Sequence, residues 1–514
     1  MSASNSARKV GIAAAIWSAA ILASRIIGLV REAVLGRTLG GGQAADVYFS
    51  AFILPDYLNY LLAGGALSLV FIPIFSKYLG EDKEAEGWIA FSHIANSLLV
   101  LLGVVTPILW WQAPFLATLV APGFDADATA ELVYLTRVIL PAQIFHILGG
   151  LLSATLQAKD KHAIPALAPL LYTASIIIGG IWTGTAAGFA WGALVGSILG
   201  PFALPLIGTM RINLGWSLRL NLRHPDLKAY FVRSLPIMLG FSIIVLDDWF
   251  LRREGSHLAE GTVATLSYAK SLMKVPMGVF GLAIGAGVYP TLSRQLQTGD
   301  LKGGFSLLSG AVRRVIVLAL IAQAALSAVG ADIATVIYGT RLLPNQAQEI
   351  GLVLAIMCLG LWAWASNTVV ARGYYALGNT WMPTLIGTVV TALAFPLYGW
   401  LGAQFGVIGL ASTSTIAISV YAFCLMLGLK WKYDNGISNI LSFWVRISIA
   451  VWVATGIGFT VRGLLPEGPA LIMGAIAGGL AAILAVVLGM ALKVPEISEV
   501  NQKISSKILR KIKR

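Results

Sequence analysis

Charge is what this sequence has least of. Only 11% of its 514 residues are Asp, Glu, Lys or Arg, against 57% that are hydrophobic; soluble domains usually carry about 25% charged residues. The length would accommodate several soluble domains, but this composition could not keep them in water. Two cysteines, Cys358 and Cys424, lie inside apolar runs. That count and placement exclude a disulfide framework and a thiolate metal site, and leave both as small apolar side chains. Five histidines (His93, His146, His162, His224, His257) are scattered along the chain. There is no HExxH, no Walker A glycine loop and no Cys–His cluster. The sequence therefore predicts no enzyme and no cofactor. Without a nucleotide site, energy for any work must come from an ion gradient, the membrane potential or a substrate's own gradient.

What is present is a succession of apolar blocks about 20 residues long, the length that crosses a hydrocarbon core roughly 30 Å thick. Candidate spans fall near 11–38, 47–76, 88–111, 130–157, 164–183, 187–208, 229–250, 262–292, 307–328, 347–377, 382–401, 406–429, 442–461 and 468–492. The fold expected is an all-α polytopic membrane protein with 14 transmembrane helices. Arg8 and Lys9 followed by an apolar run imitate a signal peptide, but the run continues through Arg25 to Val34 and reads as the first span.

Net charge is +13. In a soluble protein such a balance would suggest nucleic acid; here membrane topology accounts for it. With both termini cytoplasmic, roughly two dozen Lys and Arg fall on the inner side, and only Arg31, Arg37, Arg252, Arg253, Arg341 and Arg462 on the outer. The inner cluster includes Arg211, Arg219, Arg223, Lys228 and Arg233. The expected location is the cytoplasmic (inner) membrane, multi-pass, with both ends inside. The tail from Lys503 to Arg514 reads as a basic amphipathic segment suited to anionic membrane lipids.

The chain also repeats itself. Gln157–Pro165 aligns with Tyr375–Pro383 at an offset of 218, and Ile72–Lys77 with Tyr289–Arg294 at 217. Such an offset spans six helices, an even number, so the halves are parallel repeats. The expected organisation is an N-lobe over 1–210, a C-lobe over 225–432, a final helix pair over 440–492 and a basic tail over 493–514. Two bundles of this kind moving about a midplane site suit alternating access, and point to a transporter. The second span of each repeat is rich in Gly and Pro: Pro55, Gly64, Gly65 and Pro73 in one, Pro276, Gly278, Gly281, Gly285, Gly287 and Pro290 in the other. These positions read either as hinges and gates or as ordinary close packing.

An ionisable residue in a span costs about 2.5–3.5 kcal/mol at the bilayer centre by insertion scales. Arg25, Gly28 and Glu32 share one helical face, with Arg31 off it. Asp46 opens the second span, Asp247 and Asp248 end the seventh, and Lys270 and Lys274 lie in the eighth. Two readings compete. In one, Arg25 pairs with Glu32, and Asp248 with a basic neighbour, as structural ion pairs. In the other, Arg25, Arg31 and Lys270 line a cationic cavity, supported by Glu32 and Asp46, that grips a phosphate through charge-assisted hydrogen bonds.

At this point the residues resemble a known family. Ser24–Glu32, Ala45–Pro55, Gly65–Pro73, Ser267–Val279 and Tyr374–Pro383 look like signature blocks of the lipid II flippases, the MurJ (MviN) family of the multidrug/oligosaccharidyl-lipid/polysaccharide exporter superfamily. The resemblance implies two six-helix lobes plus a final pair. It also implies a substrate of undecaprenyl-diphosphate-linked disaccharide-pentapeptide, moved from the inner to the outer leaflet for cell-wall synthesis, with cell-wall or division proteins as partners. It carries the cavity roles onto Arg25, Arg31, Lys270 and Asp46, and a sodium contact onto Asp247 or Asp248. The chain departs from the pattern where Asn59 or Tyr60 stands in place of a basic residue, at Gly64, and at Asn379. Those departures leave open another polyprenyl-diphosphate-linked oligosaccharide as substrate. A cation-coupled drug exporter, which would need cavity acids, fits less well.

Overall fold

The structure, a computed structural model, describes residues 23–63, 70–240, 242–433, 440–466 and 468–497. Gly64, Gly65, the beginning of the first span and residues 498–514 of the basic tail lie outside the described residues. Among those described, the regular structure is all helical. Two compact units divide the chain, Met1–Ala264 and Thr265–Arg514.

The first unit holds α1 (23–39), α2 (Gln43–Ala51), α3 (Ile53–Ala63), α4 (Ile72–Gly80), α5 (Glu84–Trp111), α6 (Ala113–Val120), α7 (Ala126–Ile139), α8 (Ala142–Ala158), α9 (Ala163–Thr183), α10 (Ala186–Ser197), α11 (Leu204–Met210), α12 (Pro225–Gly240) and α13 (Ser242–Gly255). Its core is aromatic where α4 meets α5: Phe75 and Phe91 each stand edge-on to Trp88 at 5.3 Å. Leu151 and Leu152 of α8 are buried in the same cluster. Edge-to-face pairs of this kind add about 0.5–1.5 kcal/mol beyond their buried area. The repeat places residues 225–264 with the second half, whereas contacts place them with the first: α12 packs on α3 and α5, and α13 on α3 and α6.

The second unit contains most of α14 (Thr262–Gln297), then α15 (Leu301–Tyr338), α16 (Gln346–Cys358), α17 (Leu361–Ala376), α18 (Trp381–Tyr433), α19 (Ile440–Leu464) and α20 (Ala470–Ala491). Asp300 starts α15 by accepting from the Gly303 N–H at 2.9 Å, which satisfies one of the orphan donors of a helix start. The packing centre is α15, which touches α16, α17, α19 and α20.

Eight helical stretches among the described residues are long and apolar enough to cross a membrane, or nine when the bent pair α16 and α17 counts as one. The 53 residues of α18 conceal a reversal. Gly406 has φ 58° and ψ −138°, a left-handed backbone that side-chain-bearing residues rarely adopt. A Cβ on Gly409 would lie 2.0 Å from the Leu401 carbonyl oxygen, so the chain folds back on itself there. The expected spans 382–401 and 406–429 are therefore the two arms of one tight hairpin.

The breaks fall differently from the prolines. The second span is interrupted at Phe52, just before Pro55. In contrast, α14 stays helical through both Pro276 and Pro290. An internal proline deletes one ladder hydrogen bond, and a span tolerates that where neighbours re-satisfy the backbone. The break between Ile139 and Ala142 has a counterpart between Cys358 and Leu361, where the helices bend by 42°.

One ion pair ties the second unit together. Arg462 of α19 reaches Asp332 of α15 in a fork, Nε to Oδ2 and Nη2 to Oδ1, both at 2.7 Å. Asp332 is nearly buried, and removing one partner from such a pair strands the other's charge. Asp332→Ala is expected to lower stability by about 2 kcal/mol, read as a drop in melting temperature. The double variant Asp332→Arg/Arg462→Asp should recover part of that loss.

Candidate functional site

In the first unit the residues expected to bind substrate lie on α1. Arg25 is exposed there. Of the two readings of this helix, the one that pairs Arg25 with Glu32 finds no such pair among the described residues. Seven residues are about 10 Å along a helix axis, and Glu32 is taken instead by its neighbour. Arg31 donates from Nε to Glu32 Oε1 at 3.2 Å and from Nη2 to the same oxygen at 2.5 Å. Glu32 is buried, and its Oε2 has no hydrogen-bond partner among the described residues. The Tyr48 and Tyr172 phenols lie within electrostatic reach of Arg31. A Cβ on Gly28 would meet nothing within 4 Å, so α1 presents an open surface beside Arg25.

Around this helix the first unit is mixed in sign rather than purely cationic. Tyr60 lies within electrostatic reach of Asp56, Asp248 and Arg25. The Asn59 side chain donates to Gln143 Oε1 at 2.9 Å. Asp248 is half-buried on α13 and Asp247 is buried. Among the described residues no group of three or more His, Cys, Asp or Glu side chains is gathered.

Asp46 does something the sequence did not suggest. It is 3% exposed, and its two oxygens accept from the backbone N–H groups of Gly261 at 2.7 Å and Ala264 at 2.6 Å. These are orphan donors at the start of α14, so Asp46 caps that helix from outside, its negative charge facing the positive end of the dipole. Beside it, Glu260 Oε1 accepts from the Gln43 N–H at 2.9 Å, and the Gln43 side chain donates to Asp125 at 3.0 Å.

In the second unit, α14 and α17 share a seam. Lys270 is 3% exposed and sits over the Trp364 ring, 5.4 Å from its centroid, a cation–π arrangement. Pro276 is half-buried and Gly278 buried, both within the unbroken helix. Further along, Gly285 makes room for a residue overlooked in the sequence: a Cβ there would fall 2.5 Å from Arg372 Nη1. Arg372 is half-buried, and that Nη1 has no hydrogen-bond partner among the described residues. Its electrostatic neighbours are the phenols of Tyr289 and Tyr375. Its signal was available, since it is a charge inside the apolar run 347–377, three residues before the Tyr375–Pro383 repeat block.

The family described as lipid II flippase MurJ matches residues 35–491. A probable lipid II flippase MurJ of Rhizobium tropici is 28% identical over 416 residues, covering 75% of this chain and 78% of that one. The lipid II flippase MurJ of Burkholderia cenocepacia is 25% identical over 459 residues, covering 86% and 87%. Among solved structures, a lipid II flippase MurJ in an inward closed conformation superposes with a TM-score of 0.75 at 21% identity, covering 93% of this chain and 99% of that chain. An inward-facing multidrug resistance MATE family transporter of the MOP superfamily gives 0.63 at 12% identity, covering 81% and 96%. At those identities the two structures speak to the fold.

Proposed function

The chain belongs to the lipid II flippase MurJ family, and from that premise we propose that it carries lipid II across the membrane with arginine and lysine side chains gripping the diphosphate. The observation that carries the cargo is the family match over residues 35–491; the grip rests on the placement of the basic side chains. The protein is a multi-pass membrane transporter, and its substrate is a lipid-linked cell-wall precursor. Translocation makes and breaks no covalent bond, so the protein's contribution is binding and conformational change by alternating access. Movement runs from the inner to the outer leaflet of the inner membrane, with both termini cytoplasmic, as the charge distribution favours. The membrane potential or a sodium or proton gradient supplies the drive. Cell-wall synthesis or division proteins are the partners that such a substrate would bring close.

Arg25 supports the role best, because it is exposed and no ion pair engages it among the described residues. A guanidinium meets phosphate oxygens in a fork, and in a water-poor site that attraction strengthens. Arg31 and Lys270 contribute charge while held by Glu32 and Trp364. Within the second unit Arg372 is a further candidate, its Nη1 without a hydrogen-bond partner among the described residues.

The test is reconstitution in vesicles with fluorescent lipid II and, separately, a different polyprenyl-diphosphate-linked oligosaccharide. Lipid II should appear on the opposite leaflet at a rate proportional to protein, while the other lipid should not. Transport of the second lipid alone would overturn the assignment. Arg372→Gln is expected to slow lipid II flipping about tenfold, the worth of one charge-assisted hydrogen bond, with Arg372→Lys intermediate. An unchanged rate in Arg372→Gln removes that residue from the path.

A further inference from the structure

The segment joining α11 to α12 is neither helix nor strand, yet it is firmly held. Three residues within two turns of α5 hold it. The Asn96 side chain donates to the Ser217 carbonyl at 2.8 Å and the Arg219 carbonyl at 2.7 Å, and accepts from Trp216 Nε1 at 2.9 Å. Ser92 Oγ accepts from the Ser217 N–H at 3.0 Å, and His93 Nδ1 from the Asn221 N–H at 3.1 Å. All three holders are buried. Beyond the segment, Asp226 accepts from the Tyr78 hydroxyl at 2.6 Å.

What this clip presents outward is apolar. The Arg219 N–H bonds the Ser217 carbonyl at 2.8 Å, a tight turn with Leu218 at its tip. The Asn221 side chain accepts from the Arg223 N–H at 3.0 Å, and the His224 N–H bonds the Asn221 carbonyl at 3.1 Å, placing Leu222 at a second tip. Leu218 is 92% exposed, Leu222 72% and Leu220 49%. Arg211, Arg219 and Arg223 are exposed among them. The helices on either side continue the apolar surface, with Ile207 and Met210 exposed on α11 and Val232 and Leu235 on α12.

We infer that residues 211–224 form an interfacial anchor, with Leu218, Leu220 and Leu222 entering the acyl region and Arg211, Arg219 and Arg223 meeting anionic lipid headgroups. The occupant is a lipid surface because both flanking helices also expose apolar side chains within three turns of the segment. Alternating arginines and leucines also match the boundary between headgroups and acyl chains. The clip on α5 fixes the depth of this anchor. The link between the two repeats is thereby tied to the bilayer rather than left to swing in water.

Single cysteines at 218, 222 and 219, in full-length protein carrying Cys358→Ala and Cys424→Ala, can be labelled with an environment-sensitive fluorophore. The protein is then placed in nanodiscs containing phosphatidylglycerol and lipids brominated on the acyl chain. Bromine should quench the labels at 218 and 222 several-fold more than the label at 219, and aqueous iodide should do the reverse. Replacing phosphatidylglycerol with phosphatidylcholine should weaken bromine quenching at 218, and Arg211→Gln/Arg223→Gln should weaken it in the anionic discs. Asn96→Ala, which opens the clip, should raise iodide access at 218. Equal iodide access at all three sites, with no effect of lipid charge, overturns the proposal and leaves the leucine row in water, open to a protein partner.

Discussion

Replacing Arg25 by glutamate is expected to reduce lipid II flipping by roughly 100-fold or more, the effect of reversing one partner of a desolvated charge pair. Melting temperature should be unchanged. The second half of that expectation comes from the structure. Arg25 is exposed on α1, no ion pair engages it among the described residues, and Gly28 leaves the surface beside it open. Substitutions at such positions usually change stability by less than about 0.5 kcal/mol. Arg31→Glu is the informative contrast. There the new carboxylate would adjoin buried Glu32, which loses the fork now holding its Oε1. That variant should lose stability as well as transport, whereas Arg25→Lys should keep a substantial part of the activity. Vesicle flipping assays and thermal unfolding, run on the same preparations, separate the two cases. Wild-type flipping by Arg25→Glu would remove the cationic grip from the mechanism.

The second large effect is expected at Asp46, and it is a loss of stability rather than of binding. Asp46→Ala strands the N–H groups of Gly261 and Ala264, both now bonded at 2.7 Å or less. Each buried donor left without a partner costs about 1–3 kcal/mol, so the pair amounts to roughly 2–6 kcal/mol. Asp46→Asn keeps one acceptor oxygen and should fall about midway. Both variants should fray the first turn of α14, which amide exchange at residues 262–265 would report directly. Were Asp46 instead a substrate contact, Asp46→Ala would lose flipping with an unchanged melting temperature and unchanged exchange at those amides.

Much of the membrane architecture was legible because a bilayer demands long apolar helices, and length and apolarity are properties of the sequence itself. The split of α18 was legible too, since Gly406 falls between two apolar runs. Partners were not. Arg25 and Glu32 share a helical face, which suggested a pair, but sharing a face two turns apart gives no contact. The adjacent Arg31 bends across to take the carboxylate. Asp46 was visible as an acid at a span boundary. That it caps α14 depends on residues more than 200 positions away, which no local pattern encodes. Proline content suggested hinges in both corresponding helices, yet α14 runs on through Pro276 while α16 and α17 break at Leu359–Gly360, where there is no proline. Arg372 went unnoticed among the aromatic residues around it. It emerged as a candidate only when Gly285 was found directly beneath its guanidinium.

The reversal at Gly406 bears on how the protein's sidedness can be mapped. The two arms of α18 touch within five residues of Gly406 on either side, so little free chain emerges there. A protease has nothing to cut, and an epitope or reporter enzyme spliced into 404–408 would prise the arms apart before reporting on either compartment.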